Sequence, residues 1–340
     1  MNISALADIA KAMVADNKGL LAMDESTSTC NRRFAKLEIP QTVEARRAFR
    51  EMLITTPGLG ENISGAILFD ETLRQQTVDG TPFIKILTDA GIIPGIKVDC
   101  GAKELAARPD ERITEGLDGL RERLTEYVRL GARFAKWRAV ISVDNSRPSR
   151  GCITANAQAL ARYAALCQEV GLVPVVEPEV LMEGAHTLQR CAEVTEAVLQ
   201  TVFSQLYEQG VVFEGMILKP NMVLPGTSCA QQASIDEVAD ATLRCLRRTV
   251  PAAVPGIAFL SGGQSPQQAS VHLNAMHLQV HAPLPWAVTF SFGRAIQQPA
   301  LEIWHGSEAN IAAAQLAIHH RTKCNHDACR GEYRPESETA

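Results

Sequence analysis

No apolar run in this 340-residue chain approaches the length needed to cross a bilayer. Its first twenty residues carry Asp8, Lys11, Asp16 and Lys18 within a helical pattern, so they do not read as a secretory leader. No excess of one charge sign exists either: the net charge of −5 leaves no electrostatic footprint for nucleic acid or a membrane surface, and neither is an expected partner. Small anionic substrates stay open, because local lysines and arginines decide their binding. Nine scattered cysteines form no even disulfide framework, and they point to reduced thiols in a cytoplasmic compartment. Cys324 and Cys329, near His319, His320 and His326, invite a zinc reading. No second close cysteine pair accompanies them, and no metal is expected. No low-complexity linker or shift of composition marks a boundary, so residues 1–340 read as one domain.

What is present is alternation. Eight short strand-like runs end in polar or glycine-rich turns: Gly19–Asp24, Gly65–Phe69, Ile93–Asp99, Arg133–Arg138, Leu172–Glu177, Gly215–Lys219, Gly256–Ser261 and Trp286–Gly293. Between them lie helical patterns. Leu117, Leu120, Leu124 and Val128 form one apolar stripe, and Val194, Val198, Val202 and Leu206 form another. Pro40 and Pro266 are placed to open helices. An open doubly wound sheet would require a Gly-x-Gly-x-x-Gly turn after the first strand, where the chain has Asp24-Glu25-Ser26-Thr27-Ser28. The steps from Lys136 to Glu177, to Lys219 and to Ser261 are 41, 42 and 42 residues. The reading is an α/β fold, a (β/α)8 TIM barrel, with a helix at Ala5–Val14 covering its floor and a polar, mobile tail from about residue 323.

In such a barrel, chemistry collects at the carboxyl ends of the strands. Here those ends carry Asp24, Asp70 with Glu71, Lys97, Lys136 with Arg138, Glu177 with Glu179, Lys219, Ser261 and Arg294. Any one of them alone could be a solvated rim charge or a loop-holding salt bridge. Together they exceed what a structural rim needs. In Gly215-Met216-Ile217-Leu218-Lys219-Pro220, an apolar strand runs directly into a lysine, and Pro220 stops regular continuation. Taken alone, such a lysine caps a strand and faces water. An ammonium at a buried strand end otherwise pairs with an acid or loses its proton, and a neutral amine can attack a carbonyl. Lys136, two strands away, supplies a second cation. Glu177, on the strand between, suits acid–base work on a carbinolamine if its pKa is raised. Asp24 would stay ionised beside one of the lysines.

Ser261-Gly262-Gly263, followed by Gly293-Arg294, fits the phosphate site that this fold forms after its last two strands, although Ser-Gly-Gly alone would be a plain turn. Ser26, Thr27, Thr29 and Arg33, with Lys97 and Arg138, could hold a second phosphate across the mouth.

The ordered series Leu21-Ala22-Met23-Asp24-Glu25-Ser26-Thr27, Ile67-Leu68-Phe69-Asp70-Glu71, Gly95-Ile96-Lys97-Val98-Asp99, Phe134-Ala135-Lys136-Trp137-Arg138, Val176-Glu177-Pro178-Glu179, Leu218-Lys219-Pro220-Asn221, Leu260-Ser261-Gly262-Gly263 and Phe292-Gly293-Arg294 resembles class I fructose-bisphosphate aldolase. The resemblance spans nearly the whole chain. It implies reversible cleavage of fructose 1,6-bisphosphate to dihydroxyacetone phosphate and glyceraldehyde 3-phosphate, with no metal or other cofactor. It further implies a Schiff base on Lys219, acid–base steps by Glu177, and charge tuning by Asp24 and Lys136. Glu179 would support the lysine environment. Ser261, Gly262, Gly293 and Arg294 would hold the ketose-side phosphate, and Lys97, Arg138 and the Ser26/Thr29/Arg33 region the other. Partners are then sugar phosphates and copies of this chain in a homotetramer.

The chain departs from the family pattern in three places. It ends Ser337-Glu338-Thr339-Ala340 where animal members end in tyrosine, so that tyrosine's role in proton transfer is not carried over. Cys100 stands where lysine is usual, and Thr29 where serine is usual. The rival readings are a Schiff-base enzyme for a related sugar phosphate and a catalytically idle barrel acting as a protein scaffold. The first would lose one cationic cluster and the second one of Lys219, Glu177 or Asp24.

Overall fold

A computed structural model describes residues 2–280 and 283–339. Its strands are β1 (Gly19–Met23), β2 (Ile63–Leu68), β3 (Ile93–Lys97), β4 (Ala102–Leu105), β5 (Arg108–Thr114), β6 (Phe134–Ile141), β7 (Val173–Val180), β8 (Ile217–Leu218), β9 (Gly256–Phe259) and β10 (Ala287–Phe292). All but β4 and β5 pair in parallel and close into an eight-stranded barrel in chain order, with β10 returning to β1. With helices flanking it, this is the (β/α)8 barrel that the alternation predicts. β4 and β5 form a separate antiparallel hairpin that sequence reading does not anticipate, because its residues are mostly charged and exposed.

Each barrel strand is short and apolar because both of its faces are covered. One face meets the surrounding helices, such as Arg150–Glu169 and Leu188–Glu208. The other fills the interior. Gly95 makes room there for the Phe134 ring, since a Cβ at Gly95 would stand 2.2 Å from it. The helices start where capping chemistry is strongest: Ser234 with Glu237 and Ser265 with Gln268 form capping boxes, and Pro266 occupies the first turn of its helix. The helix expected just after Pro40 begins instead at Val43, where the Thr42 side chain accepts from Ala45 N.

The amino ends of the strands are sealed. The Ile3–Met13 helix lays Leu6, Ala10 and Met13 against Phe134, Val173, Val175 and Ile217. The carboxyl ends open into a cavity.

The C-terminal segment departs from the mobile tail expected from about residue 323. The Ile311–Ala328 helix continues through that point, and Cys324, Asn325, Ala328, Cys329 and Tyr333 are buried. Polarity misled the reading because its polar groups are satisfied inside the protein. Tyr333 N donates to Asn274 Oδ1 at 2.9 Å, its hydroxyl donates to Glu338 Oε1 at 2.7 Å, and Glu338 pairs with buried Arg321.

Candidate active site

Side chains alternate in direction along a strand, so residues two apart share a face. Lys136 and Arg138 on β6, and Glu177 and Glu179 on β7, therefore form successive tiers toward the mouth. Lys219 follows β8 directly. Its N–H still donates to Val176 O at 2.8 Å, while Pro220 ends the strand.

The inner tier is a chain of four alternating charges. Lys136 Nζ lies 2.6 Å from Asp24 Oδ2 and 3.1 Å from Glu177 Oε2, and Lys219 Nζ lies 3.1 Å from Glu177 Oε1. Lys136, Glu177 and Lys219 are each 3% exposed, so their charges depend on one another rather than on water. Burial pushes the Asp24 carboxyl up, but Lys136 and then Lys219 outweigh it and hold it at about 2. Burial also works against the Lys136 charge, and Asp24 and Glu177 overcome this and raise its pKa. Glu177 is the correction. Sequence reading requires a raised pKa, yet against the push of burial Lys136 and Lys219 lower it, so Glu177 rests as a carboxylate between two lysines.

In the outer tier, cations expected to meet phosphate already have partners. Lys97 Nζ pairs with Asp99 Oδ1 at 2.6 Å, Arg138 pairs with Glu179, and Arg33 shares Glu25 with Arg50. The unforeseen hairpin steadies this tier: Thr114 on β5 donates its hydroxyl to Arg138 O at 2.7 Å.

Apart from Arg50 and Thr114, which stand behind them, these groups line one cavity of about 1030 Å³ at the barrel mouth. Ser261, Gly262, Gly293 and Arg294 close one side of it, and Ser26, Thr29 and Arg33 the other. Gly262 and Gly263 have φ of +59° and +87°, a run of left-handed backbone that glycine adopts readily and that turns amides outward. Gly263 itself is not among the lining residues, but a Cβ there would stand 3.8 Å from Arg294 Nη2. Arg294 is exposed to the cavity and has no ion pair among the described residues. Opposite, Ser26 caps the Thr27–Ala35 helix by accepting from Thr29 N at 3.4 Å and lies 3.1 Å from the Thr29 hydroxyl.

Sequence reading missed three contributors. Asp99 binds Lys97 and accepts from Arg138 N at 3.2 Å, and its position two after Lys97 on the same face could have revealed it. Glu25 holds Arg33 and Arg50, a long-range pairing with no local signal. Ser291 lines the cavity with a buried hydroxyl that has no hydrogen-bond partner among the described residues, and it stands two residues before Gly293. The cysteine–histidine group of the last helix lies apart from this cavity. Cys329 faces Thr289 at 3.4 Å, and His326 meets Asp16 O at 3.1 Å.

Comparison with known proteins gives a consistent picture. A family model described as fructose-bisphosphate aldolase class-I matches residues 5–340. The chain is 58% identical to a probable fructose-bisphosphate aldolase class 1 of Xanthomonas campestris pv. campestris, over 98% of this chain and all of the relative. It is 51% identical to cytosolic fructose-bisphosphate aldolase 6 of Arabidopsis thaliana, over 94% of this chain and 89% of the relative. A solved structure of fructose-bisphosphate aldolase from Plasmodium falciparum, in complex with TRAP and a small-molecule inhibitor, superposes with a TM-score of 0.96 at 47% identity, covering 98% of this chain and 96% of that one.

Proposed function

The chain belongs to the class I fructose-bisphosphate aldolase family, which works through a Schiff-base lysine rather than a metal, and we propose that Lys219 is that lysine. The reaction is the reversible cleavage of fructose 1,6-bisphosphate to dihydroxyacetone phosphate and glyceraldehyde 3-phosphate. What supports Lys219 is its place: a buried amine at a strand end, 3.1 Å from a carboxylate that also touches a second lysine.

Each step then has a group within reach. Glu177, resting ionised, accepts the proton that Lys219 loses and leaves a neutral amine to attack the ketone carbon of the substrate. After attack the nitrogen sheds a second proton to the oxygen, giving the carbinolamine; protonated Glu177 then returns its proton to that hydroxyl, which departs as water and leaves an iminium. Cleavage sends the electron pair of the broken carbon–carbon bond into the iminium, giving an enamine. The hydroxyl proton of the departing aldehyde goes to the same carboxylate. Protonation of the enamine carbon and hydrolysis release the ketone phosphate and restore the amine. Asp24 stays ionised throughout and keeps Lys136 charged beside Glu177. Glu179 fixes Arg138 at the rim.

The ketose-side phosphate sits on Ser261, Gly262, Gly293 and Arg294, where a guanidinium with no ion pair among the described residues and the left-handed Gly262–Gly263 turn favour an anion. The second phosphate sits by Ser26, Thr29, Arg33, Lys97 and Arg138. Because those cations are already paired, their carboxylate partners must share them with the phosphate, and this side binds the more weakly. We also infer a cytoplasmic homotetramer. Cytosolic relatives and the absence of any disulfide among the described cysteines support the compartment, and the family resemblance supports the assembly. No helix among the described residues is long and apolar enough to cross a membrane.

The test is borohydride reduction in the presence of dihydroxyacetone phosphate and a chelator, followed by peptide mass mapping. A single adduct on Lys219 is the expected result. An adduct on Lys136 instead would reverse the two lysines' roles, and cleavage activity lost to the chelator would overturn the amine mechanism here.

A further inference from the structure

We propose that His320, Cys324 and Glu338 form a binding site for a zinc-class divalent cation, a clip that fastens the C-terminal segment to the last helix. His320 and Cys324 are one helical turn apart and share a face of the Ile311–Ala328 helix. His320 Nε2 lies 3.6 Å from Cys324 Sγ and 3.7 Å from Glu338 Oε2, and all three ligand atoms fall within 4.8 Å of one another. Zinc bonds of about 2.0–2.1 Å to nitrogen or oxygen and about 2.3 Å to sulfur, at a tetrahedral angle, put nitrogen and sulfur about 3.5 Å apart and nitrogen and oxygen about 3.4 Å apart. The two sides that meet at His320 thus stand within a few tenths of an ångström of a zinc-binding triangle, and the third, between Cys324 and Glu338, is under 4.8 Å.

Their surroundings orient them as metal ligands are usually oriented. Glu338 divides its two oxygens. Oε1 accepts from Arg321 and from the Tyr333 hydroxyl, while Oε2 faces His320 and accepts only a long bond, 3.5 Å, from Gln267 Nε2. Arg321 is itself fixed by Pro266 O at 2.9 Å and Ser270 Oγ at 2.7 Å, so the carboxylate has a rigid anchor. That guanidinium opposes a nearby cation, but a thiolate and a carboxylate set two negative charges against its one. Cys324 is buried, while His320 and Glu338 are half-buried, so solvent can deliver the ion and supply a fourth ligand. Binding releases the thiol proton into solvent and oxidises nothing. None of the three lines the catalytic cavity, so the cation would stabilise the segment and take no part in cleavage. Sequence pattern pairs Cys324 with Cys329, whereas the fold pairs it with a carboxylate fourteen residues on.

The full chain, stripped with a chelator and titrated with Co²⁺, tests this. One Co²⁺ per chain should bind with a thiolate-to-cobalt charge-transfer band and the visible absorption of a tetrahedral ion, and Zn²⁺ should displace it stoichiometrically. Cys324→Ser should abolish the charge-transfer band. Cys100→Ser and Cys229→Ser, at the two cysteines that are not buried, should keep it. Glu338→Gln should weaken Co²⁺ binding at least about 10-fold, measured on protein whose circular dichroism shows it folded, since Glu338 also pairs with buried Arg321. Zn²⁺ should also slow tryptic cleavage after Arg330, at the start of the fastened segment. Absence of a stoichiometric band, a band that survives Cys324→Ser, or Co²⁺ affinity unchanged in Glu338→Gln would each overturn the site and leave a hydrogen-bonded cluster in its place.

Discussion

The floor and the mouth of the barrel are built from the same strands, and one step of two residues separates them. Inward positions on β7 read Val173, Val175, Glu177, Glu179, and on β6 they read Phe134, Lys136, Arg138. β8 passes from Ile217 to Lys219 and β1 from Leu20 and Ala22 to Asp24. At the floor, the Ile3–Met13 helix removes water from an apolar cluster, which is favourable in proportion to the area covered. At the mouth, two buried lysines and buried Glu177, with half-buried Asp24, keep their charges only through their mutual pairing. The floor therefore contributes stability and the mouth contributes reactivity. A substitution at either end should separate the two.

Replacing Lys219 should have the largest effect. Lys219→Met keeps the length and apolar stem while removing the nucleophile. It should lower kcat on the order of 10⁴-fold or more, as loss of a covalent nucleophile does, and abolish borohydride trapping. Its thermal midpoint should fall only modestly, because Glu177 loses one lysine but keeps Lys136 at 3.1 Å. A collapse of stability instead would mean that the lysine is needed for the fold at the mouth.

Glu177→Gln comes next. It keeps the shape but can neither take nor return a proton, so kcat should fall by about 10²–10⁴-fold. Rapid-quench measurement of Schiff-base formation should show that step slowed as well, since Glu177 touches both lysines. A near-normal kcat would remove Glu177 from proton transfer and shift that work to Asp24.

How much of this contrast can be read from sequence follows from how local each cause is. The strands and the Lys219 position are legible because a charge at the end of an apolar run is a local contradiction, and Pro220 underlines it. The phosphate glycines are legible for a similar reason, since Gly262 and Gly263 cluster at a strand end. The Glu177 charge state is not, because it depends on two lysines some 41 residues away on either side. Glu25 escapes notice because its partners, Arg33 and Arg50, lie on later helices. The C-terminal segment is misread for the opposite reason: its polarity looks like solvation, while Arg321, Tyr333 and Glu338 satisfy one another within the protein. The β4–β5 hairpin offers too few apolar residues to register.

Leu6→Ala tests the floor. Leu6 is 1% exposed beneath the strands, and shortening it should cost about 3 kcal/mol of stability by leaving a cavity. Below the unfolding transition, kcat and KM should be unchanged, because Leu6 does not line the catalytic cavity. A fall in kcat at unchanged stability would show that the two ends are mechanically coupled.

The smallest effect concerns pH, and its sign separates the two ends. Asp24 has an ordinary pKa of 3.8 and is held at about 2 in the native state by Lys136 and Lys219 against the push of burial. The unfolded chain therefore binds this proton more readily than the native one does. The stabilisation from Asp24 is complete above its unfolded pKa and is lost as pH falls from about 4 toward about 2. A shift of that size corresponds to about 2 kcal/mol. Asp24→Asn should thus be less stable than the wild type at about pH 5 and approach it at about pH 3, as read from urea midpoints. Leu6→Ala should instead lie below the wild type by the same margin at both pH values, since Leu6 sits in an apolar cluster and its loss alters no ion pair. If Asp24→Asn ran parallel to the wild type across this range, the acid sensitivity would belong to other carboxylates, and the mouth would be held together by Glu177 alone.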